Sequence, residues 1–275
     1  MTAGEVVRAY VAIRELRADR HLLLLLDFDG TLAEFDPDPD SVQLQDARRD
    51  LLLDLAARSD TTLGIVSGRR LTDVRSRTRL PAPVWYSGLH GLEIEGPGVS
   101  FMHPDAEKAF AILRHLAGGL SSELSALPGV FVEDKTLSVV AHFRDASPED
   151  AKRVPAIVEK HARSSLESGL FRLMHGACML ELLPNIAWHK GSAVAWIRGR
   201  VASSHDTACV YVGDDVTDQD AFEAVRGRGL AIAASTRASG ADIQIDGPAE
   251  VEELLRRLAA DGLKGRSGGQ HPIPG

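Results

Sequence analysis

The chain has little cysteine, no long apolar run and no excess of positive charge, and each shortage removes a class of function. Cys178 and Cys209 are the only two cysteines and form no CxxC pattern. That spacing argues against a disulfide framework or a thiolate-ligated metal and fits a reducing, cytoplasmic compartment, with both thiols expected as small buried apolar side chains. The longest aliphatic run, Leu22 to Leu26, is five residues and ends on an acid, too short for a bilayer span or the core of a signal peptide. With 31 Lys plus Arg against 39 Asp plus Glu, the formal charge is −8. A phosphate-backbone binder needs the opposite balance, so neither nucleic acid nor a membrane is an expected partner. The 275 residues suffice for one large or two modest domains.

The hydrophobic pattern suggests two rhythms. Val6, Val7, Tyr10, Val11 and Leu16 fall near one face of a helix over 5–18. Leu22–Leu26 reads as a strand buried on both faces, because Gly30, Pro37 and Pro39 forbid helix beyond it. Ser41 is a candidate cap for a helix through Arg58, followed by a strand over Thr61–Val66, a helix over Leu71–Arg79 and a strand over Val84–Ser87, with a break at Glu95–Gly98. From 105 the order becomes helix, hairpin, helix, hairpin: 105–126, Val130–Glu133 with Leu137–Arg144 through Asp134-Lys135-Thr136, a helix opening at Ser147-Pro148-Glu149, and two strands around Gly176. After Gly191 the first rhythm returns, with helices near Ser192–Arg200, from Asp218 and over 249–260, and strands at Ala208–Val212 and Leu230–Ala233. The expected fold is therefore α/β, a Rossmann-like core with a parallel sheet interrupted by an α+β domain with an antiparallel sheet. The expected boundaries are 1–103 and 187–261 for the core and 104–186 for the insertion, with 262–275 a disordered tail.

Three strand ends carry chemistry. Asp27 and Asp29, two apart in extended chain, point their carboxylates the same way while Phe28 turns into the core. They stand at the carboxyl end of a strand, where open α/β sheets bind ligands, although Asp-Gly is also a common turn pair. Gly213-Asp214-Asp215 repeats the pattern, with Asp218 and Asp220 following. One acid could cap the next helix, but four within seven residues repel one another unless a cation or solvent relieves them. Carboxylate oxygens with retained waters suit Mg²⁺. Ser67-Gly68-Arg69 offers a hydroxyl, backbone N–H groups and a guanidinium for phosphate oxygens, and Lys190-Gly191 adds a point charge at a helix start. Alone, a Ser-Gly turn, a solvated lysine and a solvated arginine-rich face over 69–79 are the plainer readings.

The order Asp27-Phe28-Asp29-Gly30-Thr31-Leu32, Ser67, Lys190 and Gly213-Asp214-Asp215 resembles the four motifs of the haloacid dehalogenase (HAD) superfamily of phosphatases, with the insertion corresponding to its type-2 cap. Gly88-Leu89-His90-Gly91, Glu133-Asp134-Lys135 leading to Ser138–Arg144, Glu181-Leu182-Leu183-Pro184 and Gly213–Phe222 look like the trehalose-6-phosphate phosphatase family within it. Phe28, Leu183, His189 and Gln219 depart from the commoner residues of that family; at Leu183 a basic residue is usual.

The resemblance implies an Mg²⁺-dependent phosphatase acting on a small sugar phosphate, trehalose 6-phosphate; separately, a monomer is expected. Asp27 would be the nucleophile and Asp29 the acid and base. Asp27, the carbonyl of Asp29, and Asp214 would hold the metal, with Asp215 and Asp218 behind them. Ser67, Gly68 and Lys190 would hold phosphate oxygens, with Arg69 beside them, and Glu133, Lys135 and Glu181 the distal sugar. His90, Arg144 and Asn185 are weaker candidates, and His142, His161, His175 and His205 read as structural or surface residues. Alternatives are a phosphatase for sucrose phosphate or mannosyl-3-phosphoglycerate, a phosphomutase, or an inactive phosphatase-like regulatory module.

Overall fold

The structure is a computed structural model that describes residues 3–36, 40–81, 83–135, 137–176 and 178–264. Pro37, Pro39, Thr136 of the expected turn and the tail from 265 lie outside the described residues. The chain divides into two compact units, Met1–Phe101 with Trp188–Gly275, and Met102–Ala187.

The first unit is built on an eight-stranded sheet. Its strands are β1 (His21–Leu26), β2 (Thr61–Val66), β3 (Trp85–Gly88), β4 (Glu93–Gly96), β5 (Val99–Met102), β10 (Thr207–Gly213), β11 (Gly229–Ala233) and β12 (Ile243–Gln244), in the order β12-β11-β10-β1-β2-β3-β4-β5. Pairing is parallel from β12 through β3, and β4 returns antiparallel to β3. The leucine run sits at the centre because both sheet faces need apolar side chains there. Leu22, Leu24 and Leu26 face one layer, formed by α1 (Ala3–Arg17), α2 (Asp46–Ala56), α3 (Leu71–Thr78) and α8 (Gly247–Lys264). Leu23 and Leu25 face the other, formed by α6 (Lys190–Ala202) and α7 (Gln219–Val225). Each is essentially fully buried, worth about 2 kcal/mol per leucine. No helix among the described residues is long and apolar enough to cross a membrane.

Several local expectations are corrected. Ser41 does not cap α2: the helix opens at Asp46 behind Gln45, because Val42 and Leu44 are drawn into the core and the Leu44 N–H bonds to the Arg77 carbonyl at 3.2 Å. The break at Glu95–Gly98 includes the end of β4 and the turn into β5, with Gly98 at φ +72°. Helix α8 runs to Lys264, so the first residues of the expected tail are helical. Cys209 is buried, but Cys178 is only half-buried. The arginine-rich stretch is solvated only in part: Arg70, Arg75 and Arg79 are exposed, whereas Arg77 is buried against Asp73, Asp40 and the Val42 carbonyl.

The second unit has a four-stranded antiparallel sheet made of β6 (Phe131–Asp134), β7 (Val139–His142), β8 (Phe171–His175) and β9 (Met179–Pro184), in the order β6-β7-β9-β8. Helices α4 (Pro104–Leu124) and α5 (Pro148–Glu167) cover one face, where Val139, Ala141, Leu180 and Leu182 meet Leu113, Leu120, Val154 and Val158. Ser147 caps α5 by accepting the Asp150 N–H at 3.1 Å, with Pro148 at the first helical position.

Candidate active site

Parallel register brings three strand ends side by side: Leu26 pairs with both Val212 and Ile65, and Val66 with Ser87. The residues just beyond β1, β2 and β10 therefore meet at one edge of the sheet. This is the carboxyl edge expected of a ligand site in an open α/β sheet.

At the end of β1 the Asp27 N–H still bonds to the Val212 carbonyl at 2.9 Å, so Asp27 stays in the sheet and is buried. The chain then turns, with the N–H groups of Leu32 and Ala33 both closing on the Phe28 carbonyl. Gly30 has φ +79°, and a Cβ there would run into the Asp214 carboxylate and the Phe35 ring. Glycine is required on both counts.

Lys190, the first residue of α6, is buried with its Nζ 2.7 Å from Asp27 Oδ1 and 2.7 Å from Asp218 Oδ1. Burial opposes its charge, but the two facing carboxylates outweigh that and hold its pKa above the ordinary lysine value. Asp218 is fully enclosed and satisfied by four donors. Lys190 and the Tyr211 hydroxyl (2.6 Å) reach Oδ1, and the N–H groups of Asp214 and Asp215, each at 3.0 Å, reach Oδ2. It thus both caps the turn after β10 and fixes Lys190. Asp215, half-buried, touches this network through its N–H.

Asp27 Oδ2 and Asp214 Oδ1 each lie 3.5 Å from the Thr31 hydroxyl. Carboxylate oxygens of Asp27, Asp214 and Asp218 fall within 4.8 Å of one another. Burial, with repulsion from Asp218 and Asp214, pushes the Asp27 pKa well above the carboxylate range against the pull of Lys190. Burial also raises Asp214, opposed by Arg237. Crowded buried carboxylates driven toward protonation are what a divalent cation relieves, and an all-oxygen set fits a hard one. Asp218 is already saturated, which leaves Asp27 and Asp214 as the available side-chain donors. The residues present fit the implied metal.

The second strand end carries Ser67, buried, whose Oγ accepts the Arg69 N–H at 3.0 Å. Arg69 does not point its guanidinium into open space. It forks the Asp29 carboxylate with three hydrogen bonds of 2.7–3.0 Å and reaches Asp73 at 3.2 Å. His90 lies in a tight turn in which Leu89 and His90 both adopt positive φ, 53° and 56°. Non-glycine residues held there mark stored strain. The turn is held by the Leu89 N–H on the Arg69 carbonyl, the His90 N–H on the Ser67 carbonyl, and Trp188 Nε1 on the Gly91 carbonyl at 2.8 Å. A Cβ on Gly68 would sit 2.7 Å from the His90 ring. Desolvation of that ring, then the Lys190 charge, lowers the His90 pKa to about 4, so it is neutral at pH 7.

Sequence reasoning missed Arg237, Phe35, Tyr211 and the hydroxyl of Thr31. Arg237 pairs with Asp214 Oδ2 and lies over the Phe35 ring at 4.5 Å. The only sequence signal was a tyrosine in the strand before the fourth motif and an arginine in the Ser- and Gly-rich stretch after β11. Among the departures, Phe28 is core, His189 stands at the start of α6, and Gln219 reaches the Ser239 hydroxyl at 2.8 Å.

Glu133, Lys135 and Glu181 belong to the second unit. Glu133 and Glu181 both register with Val140, so their side chains share the sheet face opposite α4 and α5. Glu181 is buried and accepts the Ser138 hydroxyl, whereas Glu133 and Lys135 are each 44% exposed and 3.8 Å apart. Asn185 is tied to the Gly169 carbonyl at 3.1 Å.

The trehalose-phosphatase family profile matches residues 25–247, which takes in all of these motifs. The chain belongs to that family. It is 37% identical over 253 residues to the trehalose-phosphate phosphatase of Mycobacterium avium, a match covering 88% of this chain and 63% of that protein. The chain thus spans less than two thirds of that relative's length. Among solved structures, a trehalose-6-phosphate phosphatase related protein superposes with a TM-score of 0.68 at 25% identity, covering 88% of this chain and 99% of that one. A haloacid dehalogenase-like hydrolase from B. subtilis superposes with a TM-score of 0.51 at 17% identity, covering 86% and 99%, and shows the shared fold.

Proposed function

We propose that the protein hydrolyses trehalose 6-phosphate to trehalose and phosphate, with Asp27 as the nucleophile and Mg²⁺ as the metal. The observation that carries this reading is the buried arrangement of Asp27, Lys190, Asp214 and Asp218 at the sheet edge, in a chain of this family.

A phosphate monoester resists attack because its anion repels nucleophiles and its alkoxide leaves poorly. Asp27 is held by Lys190 at one oxygen, which leaves the other to attack phosphorus. The bond to the sugar oxygen breaks as the aspartyl-phosphate forms, and Asp29 delivers a proton to that oxygen. In the second half Asp29 takes a proton from the water that attacks phosphorus, restoring the Asp27 carboxylate and releasing phosphate. Arg69 pairs with both Asp29 and Asp73, and its fork on Asp29 favours the ionised carboxylate, the form that takes the proton from water. Lys190, the Ser67 hydroxyl and the Gly68 backbone hold equatorial oxygens, where charge spreads in the transition state. Asp27, Asp214 and the carbonyl of Asp29 would hold Mg²⁺, which when bound neutralises phosphoryl charge. Glu133, Lys135 and Glu181 take hydroxyls of the sugar remote from phosphate.

An inactive regulatory module has no need of a charge-paired Asp27 and Lys190 or a four-donor Asp218, so the catalytic reading is preferred. The test is phosphate release from a panel of sugar phosphates with and without Mg²⁺. Metal-dependent release strongest on trehalose 6-phosphate supports the reading. Stronger release from sucrose phosphate or mannosyl-3-phosphoglycerate, or none from any ester, overturns it.

A further inference from the structure

The sheet face that carries Glu133 and Glu181 also carries two residues to which neither the family motifs nor the charge pattern assigned a role. Phe131 lies on β6 two residues before Glu133 and is 58% exposed, so one face of its ring is open to a ligand. Its cross-strand partner is His142, and the two rings stack at 4.4 Å with an interplanar angle of 13°. The same imidazole turns its Nε2 to Glu133 Oε2 at 2.8 Å. One flat ring is thus fixed beside a carboxylate whose direction the second ring sets.

We propose that Phe131 is a stacking platform for the apolar C–H face of a pyranose ring, and that His142 is a positioning residue that aims Glu133 at that sugar's hydroxyls. A pyranose has one polar rim and one largely apolar face, so a site that selects it needs both a hydrogen-bonding carboxylate and a flat apolar surface within a ring's width. Phe131 and Glu133, two apart on one strand face, stand at about that separation.

The inference rests on the proposed function, in which the substrate is a disaccharide phosphate. It is tested with steady-state kinetics on trehalose 6-phosphate and p-nitrophenyl phosphate, and with trehalose alone as a binding probe in calorimetry. Phe131→Ala should raise KM for trehalose 6-phosphate and weaken trehalose binding by about three- to tenfold, the usual worth of an aromatic contact, with kcat the less affected constant. Phe131→Tyr should retain both. Phe131→Leu keeps apolar volume without the flat ring and should resemble alanine, which also covers the case in which alanine fails to fold. His142→Ala should weaken trehalose binding by a similar factor, and His142→Gln, which can still donate to Glu133, should recover most of it. Folded Phe131→Ala and Phe131→Leu with wild-type KM and trehalose affinity overturn the inference and leave the proposed function intact. Equal loss on both substrates also overturns it, since that marks a structural role. A wild-type enzyme with no preference for the disaccharide ester overturns both.

Discussion

The two units treat charge in opposite ways. At the sheet edge of the first, Asp27, Lys190, Asp214 and Asp218 are buried, and Lys190 and Asp218 have two and four short partners respectively. On the sheet face of the second, Glu181 is buried on the Ser138 hydroxyl, but Glu133 and Lys135 are nearly half exposed and their ammonium and carboxylate stand 3.8 Å apart. Buried charges are costly unless paired, so they persist in one geometry, whereas a half-exposed pair is worth little and keeps carboxylate and ammonium within reach of a ligand. The proposed reaction, common to all phosphate monoesters, would use the first arrangement, and the proposed recognition of one sugar among many would use the second.

The comparison breaks most directly at Asp27. Asp27→Asn should lower phosphate release by well over a hundredfold, with circular dichroism unchanged. A folded variant that keeps more than about a hundredth of wild-type turnover would remove the covalent step. Chelation comes next. EDTA should abolish turnover, Mg²⁺ should restore it, and Ca²⁺, which prefers more ligands in a larger and looser shell, should restore it poorly. Full activity in chelator would show that turnover needs no metal.

Asp218→Ala should be the most damaging change to stability, since it removes one of the two carboxylates on Lys190 and the hydrogen-bond partner of the Tyr211 hydroxyl and of two backbone N–H groups. A loss of about 3 kcal/mol or more in a denaturant titration is expected, against less than about 1 kcal/mol for Glu133→Ala. Similar losses at both positions would erase the contrast between the units. In kinetics the order should reverse in character. Glu133→Ala should cost roughly ten- to a hundredfold in kcat/KM on trehalose 6-phosphate and much less on p-nitrophenyl phosphate, as expected for one charge-assisted hydrogen bond to sugar.

The smallest effect is at His90. Its ring should titrate near pH 4 by NMR, and replacing Lys190 by methionine should raise that value, because the lysine charge is one of the two causes of the depression. A ring kept neutral favours the folded state while the unfolded chain takes up protons. Its contribution is therefore complete above the ordinary histidine pKa of about 6.5 and is lost as pH falls from there toward 4. A ring titrating at the ordinary value would show that the turn is open to solvent.

The core strands and their terminal acids were legible because both signals are local. Five consecutive leucines followed by Asp-Phe-Asp-Gly can form a buried strand and a glycine turn, and Val212-Gly213-Asp214 repeats that grammar. The alternation of helix and hairpin between 105 and 183 is equally local, and the observed sheet is antiparallel. Weak short elements were harder. Strand β12 has two residues held by parallel pairing with β11, and β5 begins just after Pro97-Gly98, where turn residues outweigh strand propensity. Ser41 illustrates a local signal that lost: a good capping residue stands before Val42 and Leu44, and burying two apolar side chains outweighs one cap.

What the sequence by itself determined is which chemistry is available and where along the chain it stands: acids after two strands, a hydroxyl after a third, a lysine at a helix start. Strand order and side-chain pairing belong to the tertiary structure. Only when β1 lies between β2 and β10 do Lys190 and Asp27, 163 residues apart, share a proton-rich contact of 2.7 Å. The same packing turns Arg69 onto Asp29, Arg237 onto Asp214 and Tyr211 onto Asp218. Periodicity and turn residues act over a few positions, but a buried charge finds its partner among groups brought close by the whole sheet, and burial is what makes that pairing obligatory.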